Sequence, residues 1–182
     1  MIYCFRVILD VEQDVFRDIE IKSDTKLEDF HNCITQSFGF DGSELASFYK
    51  SNTQWEQGEE VSLFDMSEMG AQQTRLMSEV NLHEIIDPEN ENGKQLIYIY
   101  DHFSMWTFMV ELVQTCEAIS GKSYPNVLYS HGQTPLEIPE KNFEAAANNG
   151  NLDEHDFEDD LYPRSQETYH SSDSLYTDDL WN

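Results

Sequence analysis

The stretch that decides the fold is Tyr98-Ile-Tyr-Asp-His-Phe-Ser-Met-Trp-Thr-Phe-Met-Val-Glu-Leu112. Its second half, from Trp106 to Leu112, alternates apolar and polar residues, which is the period-two pattern of a strand with one buried face. The preceding run Leu96–Tyr100 is almost continuously apolar, as expected for a strand in the interior of a sheet. Together the two runs predict a β-hairpin in the core of a sheet, with Asp101 at its turn.

Two more strands are predicted near the N-terminus. Residues 3–11 alternate apolar and polar side chains, and residues 15–22 place apolar side chains on one face, with Arg17 as the exception. The polar residues Glu12–Asp14 lie between these runs. A hairpin is therefore the simplest arrangement of the two strands.

A helix is predicted directly after this hairpin. Thr25 and Glu28 have the spacing of a capping box, in which each side chain satisfies a free backbone donor of the first turn. Apolar residues then recur at helical spacing as far as Gly39, which can end a helix in the left-handed conformation. We expect a helix over residues 26–38 whose apolar stripe packs on the sheet.

The remaining segments of the first 141 residues give weaker predictions. Short strands are expected at residues 45–49, 54–55 and 61–64. Residues 72–86 predict one helix or two short turns, and the proline and glycine residues of Gly121–Pro139 predict irregular structure. The compact domain is expected to cover residues 1–141.

The chain is strongly acidic. Its 182 residues include 10 Lys and Arg against 36 Asp and Glu, which gives a net charge of −26 with histidine neutral. The basic residues are dispersed, whereas binding to a phosphate backbone draws on clustered Lys and Arg. We therefore expect no direct binding to nucleic acid and no attraction to anionic membranes.

Cysteine usage indicates the compartment. Cys4, Cys33 and Cys116 are odd in number, widely spaced and without a C-x-x-C pair, which favours reduced, buried thiols over a disulfide or metal role. Reduced thiols are typical of cytoplasmic proteins. The N-terminus lacks the features of a signal peptide, and no apolar run approaches the roughly 18 residues of a membrane span. A cytoplasmic protein is the expectation.

Residues 142–182 differ from the preceding domain. They contain 11 acidic residues and a single basic one, Arg164, so this acidic C-terminal extension cannot bury enough apolar surface to order itself alone. Two acids precede two bulky residues in two places, and the candidate anchors in these repeats are Leu161, Tyr162, Leu180 and Trp181. Three interpretations stay open: a solubilising tail, a segment docked on its own domain, and a segment that binds a partner.

The sequence contains no recognisable catalytic motif. Its six histidines form no zinc-binding pair, and it has neither a G-x-S-x-G elbow nor a glycine-rich phosphate loop. The acidic run Asp153–Asp160 lacks the ligand pattern of a calcium loop, so a solvated run is favoured over a weak cation site. We expect no catalytic residue, no metal and no cofactor. Asp101 is the most site-like polar residue, although capping of the turn is its favoured role.

The order of these elements resembles the plasmid pRiA-type ORF-like domain family over about residues 1–135. The resemblance is carried by Leu27-x-x-Phe-His31 followed by Phe38-Gly39, and by Tyr98-x-Tyr-Asp101 with Trp106. It implies an α+β domain with a curved, mainly antiparallel sheet and helices packed on one face.

The chain departs from the family pattern at the hairpin turn. Members usually read Tyr-x-Tyr-Asp-Phe-Gly-Asp-x-Trp, whereas this chain has His102, Phe103 and Ser104 in place of Phe, Gly and Asp. The tight glycine turn and the second carboxylate are therefore missing. The usual Cys-Gly-Gly motif is also missing, with Ile138-Pro-Glu-Lys-Asn142 in that region.

Members of this family are often labelled transposon resolvases, and the sequence argues against that activity. Serine resolvases begin with a strand that reads Tyr-x-Arg-Val-Ser, in which the serine attacks DNA phosphate. Here Arg6-Val7 is followed by Ile8, which cannot form a phosphoester. The negative charge also opposes DNA binding, so the resolvase interpretation is rejected.

Three functional hypotheses follow from the sequence. The first is a non-catalytic protein-interaction module whose acidic surface and tail engage a basic or hydrophobic protein partner. The second is a small-molecule-binding protein or enzyme, with a candidate pocket formed by His31, Tyr98, Tyr100, Asp101 and Trp106. The third is a nucleic-acid mimic, in which carboxylates at phosphate-like spacing occupy a DNA-binding protein.

Overall fold

The computed structural model describes residues 1–65 and 74–137, in which one long helix packs on a single sheet. The chain divides into two units, Met1–Lys141 and Asn142–Asn182, and every described residue belongs to the first. The strands are β1 Ile2–Leu9, β2 Phe16–Lys22, β3 Ala46–Ser51, β4 Glu60–Ser62, β5 Arg75–Leu76, β6 Gln95–Tyr100, β7 Trp106–Cys116 and β8 Asn126–His131. The helices are α1 Leu27–Phe38, the single turn α2 Leu82–Ile85 and a short 3-10 turn at Glu91–Gly93.

The eight strands form one open sheet in the order β5-β4-β3-β6-β7-β1-β2-β8. Every pairing is antiparallel except that of β4 with β5, so the sheet is mixed but mainly antiparallel. Both predicted hairpins are confirmed, since β1 pairs with β2 and β6 pairs with β7. An α+β class describes this architecture in outline, although strands greatly outnumber helices among the described residues.

The core lies between α1 and one face of the sheet. The predicted apolar stripe of α1 is buried, and its end at Gly39 is confirmed by a left-handed φ of 86°. Phe30 stacks between Phe5 of β1 and Phe48 of β3, with ring centroids 4.9 and 5.7 Å away. These contacts join strands from both halves of the sheet, so the helix acts as the common packing partner.

The predicted capping box at the start of α1 is wrong. The N-cap residue is Lys26, and it makes no side-chain capping bond. Instead, the amides of Leu27 and Glu28 donate to the carbonyl oxygens of Val80 and Met77, at 2.9 and 3.2 Å. A distant backbone segment therefore satisfies the free donors that a local side chain was expected to satisfy.

Three weaker sequence predictions also need correction. The strand expected at residues 54–55 is a turn, because the chain folds back there to return towards β4. Residues 72–86 were expected to form one helix or two short turns. The described part, residues 74–86, instead contains the short strand β5 and the single helical turn α2, which begins with a capping box between Asn81 and Glu84.

The strand β8 lies within Gly121–Pro139, a segment that was expected to be irregular. Its residues Val127, Leu128 and Tyr129 are exposed, so the strand lacks the alternating pattern that a half-buried strand shows. Pairing with β2, about a hundred residues earlier in the chain, defines it as a strand.

Candidate functional site

The predicted pocket residues His31 and Tyr98 form a hydrogen-bonded pair inside the core. The Nδ1 atom of His31 lies 2.7 Å from the Tyr98 hydroxyl, and both side chains are buried. Burial lowers the pKa of His31 to about 4, against a smaller opposing effect of the Gly42 backbone, and burial raises the pKa of Tyr98. The imidazole is therefore neutral at physiological pH, and its partner is a protein hydroxyl.

Tyr100 connects this core to the surface. Its hydroxyl donates to Oδ1 of Asp41 at 2.8 Å and also lies 3.4 Å from the Glu44 amide. Hydrogen bonds from the Ser43 amide, then from Tyr100, lower the pKa of Asp41. Asp41 is thus an ionised carboxylate held at the end of the sheet where the β6–β7 hairpin turns.

Asp101 occupies the turn-capping position that the sequence favoured for it. Its Oδ1 accepts hydrogen bonds from the amides of Phe103 and Ser104, at 3.1 and 3.3 Å. Bonds from the Ser104 side chain and from these amides lower the pKa of Asp101. Trp106, the next predicted pocket residue, is buried and packs edge-on against Phe40 with ring centroids 5.1 Å apart.

Residues 101–105, which connect β6 to β7, are called the hairpin tip below. Phe103 is 98% exposed and Met105 is 50% exposed, so the tip presents an apolar surface to solvent. Asp101 and Met105 have positive φ values of 54° and 60°, a conformation that is unfavourable for residues other than glycine. Phe103 stands where the family resemblance implies a glycine, and the positive φ values fall on either side of it, at Asp101 and Met105.

The tip lies among acidic residues. The Asp10 amide donates to the Thr107 carbonyl at 2.9 Å, which brings the end of β1 beside the start of β7. The Asp101 amide donates to the Leu45 carbonyl at 2.8 Å, which places Glu44 and Asp41 on the other side. An apolar tip with carboxylates on both flanks therefore marks one end of the sheet.

A cleft of about 740 Å³ lies away from the predicted pocket residues. It separates the polar side of α1 from the segment that leads into β8. Its lining residues are Lys22, Thr25, Asp29, Asn32, Cys33, Gln36, Ser37, Tyr124, Pro125 and Val127. Sequence reasoning missed this cleft because Asp29, Asn32 and Gln36 read as an ordinary solvated helix face.

The three cysteines have two different surroundings. Cys33 lines the cleft, whereas the Sγ atoms of Cys4 and Cys116 lie only 3.9 Å apart, close to Glu20. Burial raises the pKa of Cys4 and of Cys33 to about 11, so both are protonated thiols at neutral pH. Sequence patterns do not indicate this proximity, because they only predict Cys4 within a strand and Cys116 at the end of another.

Several predicted features lie outside the described residues. These are the four tail anchors Leu161, Tyr162, Leu180 and Trp181, and the acidic run Asp153–Asp160. Within residues 1–65 and 74–137, no helix is long and apolar enough to cross a membrane.

Comparison with known proteins identifies the family. Residues 1–169 match the family model described as plasmid pRiA4b ORF-3-like protein. The chain belongs to this family. The resemblance drawn from the hairpin and the first helix is thereby confirmed. No curated protein matches the chain.

One solved structure supports the fold of this family member. The chain is similar to the crystal structure of a protein of unknown function from Methanosarcina mazei Go1, with a TM-score of 0.59 and 17% sequence identity. The match covers 71% of this chain and 68% of the other. At this identity the likeness shows a shared fold and carries no functional information.

Proposed function

We propose that this family member is a non-catalytic protein-interaction module whose hairpin tip and acidic surface engage a basic or hydrophobic protein partner. The observation that carries the proposal is the exposed Phe103, held in a turn that Asp101 braces with two hydrogen bonds. Large aromatic residues are enriched at protein interfaces, where they anchor in pockets of the partner.

The backbone of the tip supports this proposal. Aspartate tolerates positive φ better than most residues, so the strain falls mainly on Met105, where such a conformation costs about 1–3 kcal/mol. Such strain clusters at ligand clamps and other functional positions. The Met105 amide also donates to the Asp101 carbonyl at 2.6 Å, which closes the turn. Phe103 is therefore presented on a braced turn, and less ordering entropy is lost when a partner binds.

The charge distribution indicates the chemistry of the partner. Asp10, Asp41 and Glu44 lie beside the tip, and the whole chain carries a net charge of −26. Acidic residues around an apolar anchor favour encounter with a basic surface and repel acidic ones. A partner with a hydrophobic pocket and a basic rim fits both features.

The test begins with capture of binding proteins from the source cells by the full-length chain. The recovered partner is then purified, and its affinity is measured by calorimetry for the wild type and for Phe103→Ser. The matched control is Leu136→Ser, because Leu136 is also fully exposed but follows β8. We expect Phe103→Ser to weaken binding at least about tenfold and the control to have no effect.

Salt and the acidic tail provide two further readouts. Affinity should fall as salt rises, because charges on the rim are screened. A chain that ends at Lys141 shows whether the folded domain or the tail binds the partner. Full affinity would assign binding to the folded domain, and lost affinity would assign it to residues 142–182. Equal affinities of the wild type and Phe103→Ser would refute a role for the tip.

A second candidate function is small-molecule binding, and the 740 Å³ cleft favours it. The sequence placed the pocket at the hairpin, whereas the side chains of His31 and Tyr98 lie in the core. A thermal-shift screen of metabolites tests the cleft, with Gln36→Ala expected to abolish any shift. Glu28→Ala is the control because it lies on α1 outside the cleft lining. The nucleic-acid mimic remains an untested prediction.

A further inference from the structure

Cys4, Glu20 and Cys116 lie on three adjacent strands, β1, β2 and β7. Phe5, the neighbour of Cys4, packs on Phe30 of α1, so Cys4 faces the opposite side of the sheet. Glu20 is directly opposite Cys4 in the β1–β2 register. One sulfur or oxygen atom of each of the three residues lies within 4.8 Å of those of the other two.

The separation of the two sulfur atoms matches metal coordination and does not match a disulfide. Their distance is 3.9 Å. Two thiolates bound to one tetrahedral Zn²⁺ at about 2.3 Å would lie about 3.8 Å apart. Cys4 pairs with Gln114, two residues before Cys116, and such diagonal positions are about 7–8 Å apart. Most disulfides span less than about 6.8 Å between Cα atoms, so these diagonal positions are too far apart for a disulfide without movement of the backbone.

We propose that Cys4, Cys116 and Glu20 form a binding site for a thiophilic divalent cation, with Zn²⁺ as the fitting ion and water as the fourth ligand. Two sulfur ligands select a soft or borderline cation over Mg²⁺ or Ca²⁺, which prefer oxygen. Each thiol releases its proton to solvent when its sulfur–metal bond forms. The carboxylate oxygen lies within 4.8 Å of both sulfur atoms, so it needs to move by no more than about 1.3 Å to reach a tetrahedral position.

Neighbouring residues fit this role. Lys122 forms an ion pair with Oε2 of Glu20, and the side-chain amide nitrogen Nδ2 of Asn126 donates to the same oxygen at 3.4 Å. We therefore assign Oε1 to the cation. Two thiolates, one carboxylate, a divalent cation and Lys122 sum to zero charge, which suits a partly buried site. Gln114 Nε2 lies 3.8 Å from the Cys4 sulfur and can orient it.

An entry route for the ion is present beside Cys4. A cavity of about 90 Å³ is lined by Cys4, Phe5, Arg6, Asp18, Ile19, Val113, Gln114 and Leu128. One water needs only about 10–15 Å³ of such space, so the cavity has room for a hydrated ion to approach. Cys116 is itself only partly buried, which gives solvent a second approach to the site.

The test uses the full-length chain, reduced and titrated with Co²⁺ as a spectroscopic substitute for Zn²⁺. Excess Mg²⁺ is present so that sites made only of carboxylates are occupied. We expect one Co²⁺ per chain with thiolate-to-metal charge-transfer absorption, displaced by Zn²⁺. Cys33→Ser is the matched control and should bind unchanged, because Cys33 lies on α1 in the separate cleft.

The variants decide the assignment. Cys116→Ser and Cys4→Ser should lose the charge-transfer band, and Glu20→Gln should bind at least about tenfold more weakly. Because Cys4 is buried, circular dichroism confirms that each variant folds, and the partly exposed Cys116 provides the safer substitution. The proposal is overturned if the wild type shows no band, if Cys116→Ser retains it, or if the two thiols are found as a disulfide that prevents binding.

Discussion

His31 is the residue whose titration should govern the acid stability of the fold. Burial lowers its pKa to about 4, whereas a histidine in the unfolded chain has a pKa of about 6.5. The unfolded chain therefore takes up a proton between these values that the native state does not. The part of the unfolding free energy that depends on this difference is fully present above about pH 6.5 and is lost as the pH falls towards 4.

We predict that His31→Gln will flatten the fall in unfolding free energy between pH 6.5 and 4. The effect should be at most about 3 kcal/mol, from roughly 1.4 kcal/mol per pKa unit. Urea denaturation at several pH values measures it, and His102→Gln is the control because His102 is exposed. Identical pH slopes for His31→Gln and the wild type would contradict the prediction.

Asp101 should be important for the stability of the hairpin tip. Asp101→Ala removes the acceptor of two backbone amides and places alanine at a φ of 54°, so we expect a loss of about 1–2 kcal/mol. Asp101→Asn retains an acceptor and tolerates the left-handed conformation, so it should stay within about 0.5 kcal/mol of the wild type. Chemical denaturation distinguishes the two variants, and equal losses would argue against capping.

At the scale of elements, Arg17 attaches the edge strand β8 to the rest of the fold. Its guanidinium donates to the carbonyl oxygens of Ser37 and His131, at 2.9 and 2.7 Å, and lies 4.5 Å from the centre of the Phe38 ring. Thus one side chain of β2 contacts both the end of α1 and the end of β8. Burial lowers the pKa of Arg17 without removing its charge.

Arg17→Lys should therefore loosen β8 selectively. Lysine keeps the charge but lacks the planar fork that reaches several carbonyl groups, so we expect a loss of about 2 kcal/mol. Amide hydrogen exchange should accelerate in residues 126–131 more than in the central strands. Arg75→Lys is the control, because Arg75 forms half-exposed ion pairs with Glu59 and Glu84 on the opposite edge strand β5 and should leave residues 126–131 unaffected. Uniform acceleration across the sheet would contradict a local role.

For the whole molecule, charge and the domain boundary lead to one prediction. Removing residues 142–182 changes the net charge from −26 to −16 and retains every residue of the described sheet and helix. Self-repulsion should decrease, so the shortened chain should melt at an equal or higher temperature at low salt, with the difference disappearing at high salt. Calorimetry measures this, and a shortened chain that fails to unfold cooperatively would place the boundary elsewhere.

Local patterns in the sequence determined the two hairpins, the apolar stripe of α1, its end at Gly39 and the capping role of Asp101. Each depends on side-chain periodicity or turn chemistry within a few residues, so a single stretch of chain contains the information. The strong negative charge is likewise a property of composition alone. The family assignment followed from the order of these same elements.

Only the tertiary structure decided the features that join distant segments. The backbone carbonyl groups of Met77 and Val80 cap α1, and pairing with β2 makes an exposed segment a strand, β8. The register between β1 and β7 brings Cys4 beside Cys116. A shift of one residue in that register would move one cysteine to the other face of the sheet. Sequence periodicity specifies which side chains share a face, whereas the register between strands specifies which side chains meet.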